Sequence, residues 1–307
     1  MVAEQLEEYP ASHFTRPSVI RSWADAFGIR PSRSLGQNFL IDGNIRDILL
    51  DACGIGPGDG VLEIGPGLGA VTAGLLERGA RVVAIEKDRR LLVPLEQHLR
   101  GYPGLVLIEG DALEEALPLL VEHQLTKVVS NLPYNPGSRI LLDIVTSRHA
   151  PARIAVTVQD EVAERITAKP GTTDFSLMSL WCQVFYEVTY VKRVSANCFW
   201  PRPRVQSAIV RLCKRDQAGV SREGFPFFQA LTKRMFQQPR KQMGHILMML
   251  AGDPVLTGVH PADMLDPAWQ HLRPADVTVG AWCALAESIR ARITTAGIDH
   301  VERSKED

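Results

Sequence analysis

The sequence VLEIGPGLGA, residues 61–70, places three glycines directly after a short apolar run. Glycine adopts backbone angles that other residues avoid, so such a loop turns sharply and lets the backbone approach a ligand closely. Helical spacing follows, and the acidic Glu86 ends the next apolar run about 20 residues further on, as the dinucleotide fingerprint requires. The stretch therefore predicts a βαβ unit that binds a nucleotide or another adenosine derivative.

Outward from this unit, apolar runs alternate with segments of helical spacing. Continuous apolar strands between helices are typical of a parallel sheet covered on both faces. Two later strands, 187–194 and 207–215, are joined by about a dozen residues without a helix, which is too short for a parallel crossover. We therefore predict a Rossmann-like, doubly wound α/β fold whose last strand runs antiparallel to its neighbours. The other predicted elements are strands at 61–64, 81–86, 105–109, 127–130 and 153–158 and helices at 70–78, 88–100, 138–146, 160–168 and 175–185.

Beyond residue 216 the strand pattern disappears, and apolar spacing at 225–236, 241–250 and 277–295 is helical. An amphipathic helix is also predicted near the N-terminus, with Ser18 as its N-cap. The predicted organisation is an N-terminal helix and basic segment over 1–33, the sheet domain over 34–216, a small all-helical C-terminal domain over 217–298 and a disordered tail over 299–307.

Composition points to a globular protein, since 45% of the 307 residues are hydrophobic. No stretch approaches the roughly 18 apolar residues of a membrane span, and Glu4, Glu7 and Glu8 stand where a signal peptide would be basic and then apolar. We expect a cytoplasmic protein. The five cysteines are scattered, with no CxxC pair, and we expect them to be reduced, mostly buried and without a metal.

Positive charge is concentrated in one segment of a chain whose net charge is −1. Residues 192–241 contain twelve Lys and Arg but only two acidic residues, Asp216 and Glu223. An acidic body with one basic segment suits a protein that meets a polyanion over a limited footprint, although a solvated charged face is the alternative. The candidate RNA contacts are Arg202, Arg204, Lys233, Arg234, Arg240 and Lys241.

Three acidic residues mark the ends of three successive predicted strands: Glu63, Glu86 and Asp111. The glycine loop alone does not separate a nicotinamide enzyme from other adenosine binders. S-adenosylmethionine is a cationic sulfonium with ribose hydroxyls, so it favours several acids and needs no pyrophosphate site. The three acids therefore suit this cofactor better than NAD, although Asp111 alternatively serves as a helix N-cap.

Six motifs follow one another along the chain: SLGQNFL (34–40), EIGPGLG (63–69), Glu86, GDA (110–112), NLPY (131–134) and FWPRPRVQS (199–207). In this order and spacing they resemble the small-subunit rRNA adenine dimethyltransferases over roughly residues 18–295. The resemblance implies a methyltransferase sheet domain that uses S-adenosyl-L-methionine to dimethylate two adjacent adenosines in a 3'-terminal hairpin loop of small-subunit rRNA, as part of ribosome biogenesis. The implied partner is this rRNA or a pre-small-subunit particle, with no membrane or metal, and a monomer is expected.

The resemblance also implies which residues contact the cofactor. The positions that match family contacts are Asn38, Leu40, Gly65, Glu86, Asp111 and Asn131. From the same motifs we expect Gln37, Glu63, Gly67, Gly69, Lys87 and Ala112 to belong to the cofactor site.

The NLPY motif has a chemical interpretation. An adenine amine is a poor nucleophile, because its lone pair is delocalised into the ring. If the Asn131 side-chain oxygen and the Leu132 carbonyl each accept one N–H, the lone pair is aimed at the methyl group, while Pro133 fixes the backbone. Tyr134 and Phe199 are candidates to stack on a flipped-out base, with core packing as the alternative for both.

Several positions depart from the family pattern while the cofactor motifs stay intact, among them Pro136, Asp160, Gln206 and Pro239. Methyl transfer is therefore better supported than the RNA target. Three alternatives remain: a large-subunit rRNA adenine methylase, which usually carries Ile in place of Leu132; a non-catalytic ribosome-assembly or RNA-binding factor; and a nicotinamide oxidoreductase, for which no hydride-site acid or base is evident.

Overall fold

The computed structural model describes residues 10–32, 34–250, 253 and 267–303, with side chains described as far as residue 293. Nine strands and eleven α-helices occur within these ranges, together with short 3₁₀ turns. The strands are β1 (Phe39–Leu40), β2 (Gly60–Ile64), β3 (Arg81–Glu86), β4 (Leu105–Glu109), β5 (Lys127–Asn131), β6 (Arg153–Gln159), β7 (Tyr186–Val194), β8 (Phe199–Trp200) and β9 (Ser207–Lys214). The helices are α1 (Pro17–Ala26), α2 (Gly43–Cys53), α3 (Ala70–Glu77), α4 (Arg89–Leu99), α5 (Ala112–Glu122), α6 (Gly137–Thr146), α7 (Asp160–Thr167), α8 (Leu177–Phe185), α9 (Phe225–Phe236), α10 (Met243–Met249) and α11 (Val279–Arg303).

The central sheet has seven strands in the order β4-β3-β2-β5-β6-β9-β7. The pairs β3–β4, β2–β3, β2–β5 and β5–β6 are parallel. Strand β9 runs antiparallel to β6, from the Arg153–Cys213 pair to the Gln159–Ser207 pair. The prediction of a doubly wound sheet with an antiparallel last strand is confirmed.

The strand order reverses between β2 and β5, because β3 and β4 lie on one side of β2 and β5 and β6 on the other. Ligands of open α/β sheets bind beyond the carboxyl ends of the strands at such a switch point. The carboxyl ends of β2, β3 and β5 carry Glu63, Glu86 and Asn131, so the topology brings three residues that are far apart in sequence to one edge.

The chain divides into two compact units, Met1–Glu164 with Val188–Lys214 and Arg165–Glu187 with Arg215–Asp307. The predicted boundaries differ from this division in two ways. The predicted separate segment 1–33 groups with the sheet, because Phe14, Ile20 and Trp23 are buried in the same apolar cluster as Leu49. Helix α8, predicted as part of the 34–216 domain, groups with the C-terminal helices.

The C-terminal helices form largely where predicted, and α9 matches the predicted 225–236. Helix α11 runs to Arg303 and therefore into the stretch predicted as a disordered tail, while 304–307 lie outside the described residues. Within the described ranges, no helix combines the length and apolarity needed to cross a membrane. All five cysteines are free thiols, and three of them are buried.

Candidate active site

A cavity of about 410 Å³ lies at the switch point, in the size range of small-molecule sites. Its walls come from the 34–40 segment and from the loops that follow β2, β3, β4 and β5. Eleven of the twelve predicted cofactor residues line it: Gln37, Asn38, Leu40, Glu63, Gly65, Gly67, Glu86, Lys87, Asp111, Ala112 and Asn131. Apolar residues that sequence reasoning did not single out complete the lining, among them Ile64, Ile85, Leu113 and Ile140. The sequence signal that could have identified these apolar residues is their position at strand and helix ends next to the motifs.

The glycine loop needs its glycines for space as well as for backbone angle. Gly67 has φ +61°, and a Cβ atom there would lie 2.7 Å from Cδ1 of the buried Phe39. Gly69, the remaining predicted cofactor residue, does not line the cavity; it is the N-cap of α3, and a Cβ would meet Leu95 and Phe14. Gly69 thus has a structural role at the start of α3, and its contact with the cofactor stays a prediction.

Glu63 and Glu86 are both buried in the cavity wall but differ in their partners. Glu86 Oε2 accepts a hydrogen bond from the Gly67 N–H at 3.1 Å, and its Oε1 accepts one from the Asp88 N–H at 2.8 Å. Burial raises the pKa of Glu86, while these two N–H groups favour its charged form. Glu63 is 1% exposed, and its Oε2 has no partner among the described residues. Burial raises the pKa of Glu63 to about 8.

Asp111 combines the two roles that the sequence left open. Its Oδ1 accepts the Leu113 N–H at 3.0 Å and so caps α5, as in the N-cap alternative. Its Oδ2 accepts a hydrogen bond from Lys87 Nζ at 2.5 Å, and this partner holds the pKa of Asp111 below its usual range. Both residues line the cavity, so a charged pair stands at the ends of β3 and β4.

The 34–40 segment lies against the NLPY loop and closes one wall of the cavity. A Cβ on Gly36 would lie 3.0 Å from the Tyr134 backbone N, so the two segments approach closely there. Gln37 Oε1 accepts the Ser32 N–H at 2.7 Å, and its Nε2 donates to Asp88 Oδ2 at 2.8 Å. These hydrogen bonds fasten the 34–40 segment to the site.

Asn131 ends β5 with its side chain in the cavity wall. Its Nδ2 donates to the Asn38 carbonyl at 2.8 Å, which fixes the orientation of the amide. Its Oδ1 is buried and has no hydrogen-bond partner among the described residues. The Leu132 N–H donates to the Thr157 carbonyl at 3.1 Å, and the Pro133 carbonyl accepts the Gly137 N–H at 2.9 Å. One hydrogen bond therefore orients the Asn131 amide, and its oxygen retains the capacity to accept from a donor.

The two predicted stacking residues have different environments. Tyr134 is half-buried, and its hydroxyl shares a 2.5 Å hydrogen bond with Ser207 Oγ. Phe199 is 2% exposed, pairs with Leu40 between β8 and β1, and belongs to the apolar core. The Phe199 ring therefore packs as in the core-packing alternative, and its stacking on a target base stays a prediction. The next residue, Trp200, is half-buried with its ring centroid 6.0 Å from that of Phe39.

Replacing Tyr134 tests whether its ring or its hydroxyl matters. Tyr134→Phe keeps the ring and loses only the bond to Ser207, so we expect most of the methyl-transfer rate to remain. Tyr134→Ala should lower the rate roughly 10- to 100-fold, the scale of base–aromatic stacking. Single-turnover transfer to rRNA measures both, with Tyr190→Phe, which loses a surface bond to Asp160, as the matched control. A Phe variant as slow as the Ala variant would assign the role to the hydroxyl.

The predicted RNA contacts differ in their exposure and in whether another residue of the chain neutralises their charge. Arg202, Arg204, Lys233 and Arg240 are exposed, the first two in the sheet unit and the other two in the helical unit. Arg234 is half-buried and forms a 2.7 Å ion pair with Asp253, and Lys241 Nζ lies 3.3 Å from Met249 Sδ. Much of the charge of Arg234 is thus neutralised within the chain, and we keep Arg202 and Arg204 as the strongest candidates.

Two of the departures from the family pattern are accommodated locally. Asp160 accepts a hydrogen bond from the Tyr190 hydroxyl at 2.6 Å and pairs with Arg193 at 2.9 Å. Gln206 Oε1 accepts the Ala196 N–H at 3.2 Å, and its carbonyl accepts the Asp160 N–H. Pro136 lines the cavity and precedes α6, whereas Pro239 is exposed beyond α9.

The described part of the chain contains no group of three or more His, Cys, Asp or Glu side chains that could hold a metal ion.

The fold and the site together define a Rossmann-like methyltransferase. The defining features are a parallel sheet with one antiparallel strand, a glycine loop after β2 and an NLPY sequence at the end of β5. Residues 29–261 match the family described as ribosomal RNA adenine dimethylase. The chain belongs to this family.

Relatives with assigned names agree with this membership. The chain is 38% identical over 273 residues to the ribosomal RNA small subunit methyltransferase A of Phenylobacterium zucineum, covering 89% of this chain and 93% of that protein. It is 42% identical over 235 residues to the protein of the same name from Opitutus terrae, covering 75% and 83% respectively.

Solved structures show the same fold. A dimethyladenosine transferase from Plasmodium falciparum aligns with TM-score 0.70 at 23% identity, covering 84% of this chain and 98% of that one. The 23S rRNA methyltransferase ErmE aligns with TM-score 0.61 at 24% identity, covering 82% and 100%. At these identities the two structures support the fold and do not distinguish small-subunit from large-subunit substrates.

Proposed function

We propose that this chain transfers methyl groups from S-adenosylmethionine to the exocyclic amines of two adjacent adenosines in a 3'-terminal hairpin loop of small-subunit rRNA. The observation that carries the proposal is the buried Asn131 Oδ1, which lies in the cavity wall without a donor among the described residues. A buried acceptor without a partner costs stability, so its retention is explained by a donor that arrives with the substrate. The names of the relatives support rRNA as the substrate.

The residues of the cavity fit the proposed cofactor. S-adenosylmethionine supplies an electrophilic methyl group on a positively charged sulfur. Glu86 would hold the ribose hydroxyls, as an acid at the end of the second strand does in dinucleotide sites. Asp111 would accept from the adenine amine, and Gly65 and Gly67, which line the cavity without side chains, would let the loop backbone approach the ligand closely. Glu63 and Glu86 together give the cavity the acidic character that suits a cation.

Asn131 would act on the target base. If its Oδ1 and the Leu132 carbonyl each accept one N–H of the target amine, the nitrogen is drawn toward tetrahedral geometry and its lone pair is aimed into the cavity. The bond from Nδ2 to the Asn38 carbonyl holds the acceptor in place beforehand, so no reorganisation is needed when the base arrives. The chain's contribution is positioning and electrostatic stabilisation, without a covalent intermediate.

A non-catalytic RNA-binding platform is the second candidate. The feature in its favour is the basic motif of the helical unit, in which Pro239 stands where the family pattern has an arginine. The ion pairs of Arg193 with Asp160 and Glu164 and of Arg234 with Asp253 lower the electrostatic attraction to RNA for both candidates. The unpartnered Asn131 oxygen favours the enzyme, because a platform has no need for it.

Two measurements separate these functions and the nicotinamide alternative. Calorimetry of the full chain should show binding of S-adenosylmethionine and of its homocysteine product but not of NAD. Single-turnover transfer of labelled methyl groups should then be measured on small-subunit rRNA, on large-subunit rRNA and on partly assembled small subunits. Transfer to small-subunit substrates is the proposed result. We propose in addition that the protein is a cytoplasmic monomer. Binding of rRNA with no transfer to any substrate would support the platform, and transfer to large-subunit rRNA would support the antibiotic-resistance type of methylase.

The salt dependence of RNA binding tests the predicted footprint. Each neutralised phosphate contributes roughly 0.7 to 0.9 to the slope of log affinity against log salt. Replacing the exposed Arg202 and Arg204 together with Gln should therefore lower the magnitude of the slope by about 1 to 2. Arg81→Gln is the control, since Arg81 begins β3 at the sheet edge opposite the cavity. An unchanged slope in the double variant would place the RNA footprint elsewhere.

A further inference from the structure

Glu63 is a buried carboxyl group without a hydrogen-bond partner at one of its oxygens. Its side chain is 1% exposed, it lines the cavity, and Oε2 lacks a partner among the described residues. An ionised carboxylate in such a position loses its hydration while one of its oxygens gains no donor, which is costly. In the absence of a ligand the group is therefore held in its protonated, neutral form.

The charges around Glu63 act in the same direction. Glu86, on the neighbouring strand β3, opposes its ionisation; hydrogen bonds from the side chain and backbone of Thr72 on α3 favour the charged form, but burial outweighs them. Lys87 and Asp111, the other ionisable residues of the cavity lining, pair with each other at 2.5 Å. Glu86 itself accepts hydrogen bonds from two backbone N–H groups, whereas Glu63 keeps one oxygen, Oε2, without a partner among the described residues.

We propose that Glu63 gives up its proton to solvent when the positively charged methyl donor enters the cavity, so that donor uptake releases a proton and is favoured by rising pH. This inference rests on the proposed use of S-adenosylmethionine. No covalent bond to the donor forms or breaks: the carboxyl O–H loses its proton to the buffer, and the carboxylate and the donor's cation compensate each other in the low-dielectric interior.

The expected number of released protons follows from the pKa of Glu63, which burial raises to about 8. Near pH 7 the free protein carries roughly 0.9 proton at this position, and near pH 9 roughly 0.1, so the number released should fall accordingly. The donor affinity of wild type relative to Glu63→Gln should rise up to about tenfold per pH unit below 8 and level off above it, because the proton no longer has to be removed.

Calorimetric titration of the full chain with S-adenosylmethionine, in buffers of different ionisation enthalpy, counts the released protons directly. Wild type should release close to one proton near pH 7. Glu63→Gln has no proton to release at this position, so near pH 7 its count should be lower than that of wild type by close to one. Glu96→Gln, an exposed position on α4, should keep the wild-type count. S-adenosylhomocysteine lacks the sulfonium but keeps the amino group. The number of protons released when it binds therefore shows whether the sulfonium or the amino group displaces the Glu63 proton.

A second measurement uses the ligand-free protein, so it tests the inference even if Glu63→Gln binds the donor too weakly for calorimetry. The pKa of the Glu63 carboxyl is 4.5 in the unfolded chain, and burial raises this pKa to about 8 in the folded protein. The Tm of wild type relative to Glu63→Gln should therefore fall as pH rises from 5 to 8 and change no further above that. A wild type that binds the donor without releasing protons, or a variant with the wild-type count, overturns this inference and leaves the proposed function standing. A wild type that binds no donor from pH 6.5 to 9 overturns both.

Discussion

Asn131→Ala should reduce methyl transfer by roughly 100-fold or more while leaving the fold and the affinity for RNA nearly unchanged, since this is the scale of removing a preorganised polar group. The variant loses the unpartnered Oδ1 that would accept from the target amine, and it loses the Nδ2 bond to the Asn38 carbonyl. Cofactor affinity should weaken modestly, because the residue also lines the cavity. Single-turnover transfer at saturating cofactor isolates the chemical step from binding.

Asn44→Ala is the matched control for this prediction. Asn44 is an exposed amide on α2, outside the cavity lining, so its removal should leave the rate unchanged. RNA and donor binding should be measured on the same preparations as transfer. If Asn131→Ala keeps the wild-type rate, the interpretation of NLPY as an acceptor for the target amine is wrong, even if the chain is a methyltransferase.

Gly67→Ala should destabilise the protein by roughly 2–5 kcal/mol and weaken donor binding at least tenfold, because strain at positive φ adds to overpacking. The added Cβ would lie 2.7 Å from Phe39, whose buried ring is packed near Trp200 and has little room to move. Displacing the loop would also break the hydrogen bond from the Gly67 N–H to Glu86. Denaturant unfolding and donor calorimetry measure the two effects.

Gly58→Ala separates backbone strain from close approach. Gly58 has φ +82°, but no atom lies within 4 Å of the Cβ position among the described residues, so only the strain of roughly 1–2 kcal/mol is expected. Donor affinity in this control should match wild type. Equal destabilisation of the two variants would show that contact with Phe39 does not limit the residue at position 67.

The sequence predicts the sheet well because its signals are local. Strands β3 and β4 begin and end at the predicted residues, since their apolar runs are bounded by polar residues and turns. The antiparallel direction of β9 follows from a connection too short for a crossover. The placement of Glu63, Glu86 and Asn131 at one edge follows in turn from the order of the motifs and the parallel pairing.

Two helices, α2 and α5, are absent from the sequence-based prediction, although each begins at a capping aspartate. Asp42 accepts the Ile45 N–H to cap α2, and Asp111 caps α5, whose pattern is interrupted by Pro118. A single capping side chain is a weak signal, because Asp also favours turns. The N-cap alternative for Asp111 is nevertheless confirmed, since its side chain caps α5.

The remaining differences depend on contacts between residues far apart in sequence. The burial of Phe199 follows from the pairing of β8 with β1, in which Phe199 lies opposite Leu40, and no local pattern indicates such a pairing. The neutralisation of Arg234 needs Asp253, and the missing partner of Glu63 Oε2 is visible only when every neighbour is placed. Sequence motifs therefore identify the members of the site, whereas their protonation and partners require the tertiary structure.

The most direct test of the central claim is mass spectrometry of small-subunit rRNA from cells that lack the gene and from the same cells complemented with wild type or with Asn131→Ala. We predict that two adjacent dimethyladenosines in a 3'-terminal hairpin loop are lost without the gene, return with wild type and do not return with the variant. Unchanged methylation of small-subunit rRNA in cells without the gene, or a loss confined to large-subunit rRNA, would contradict the account.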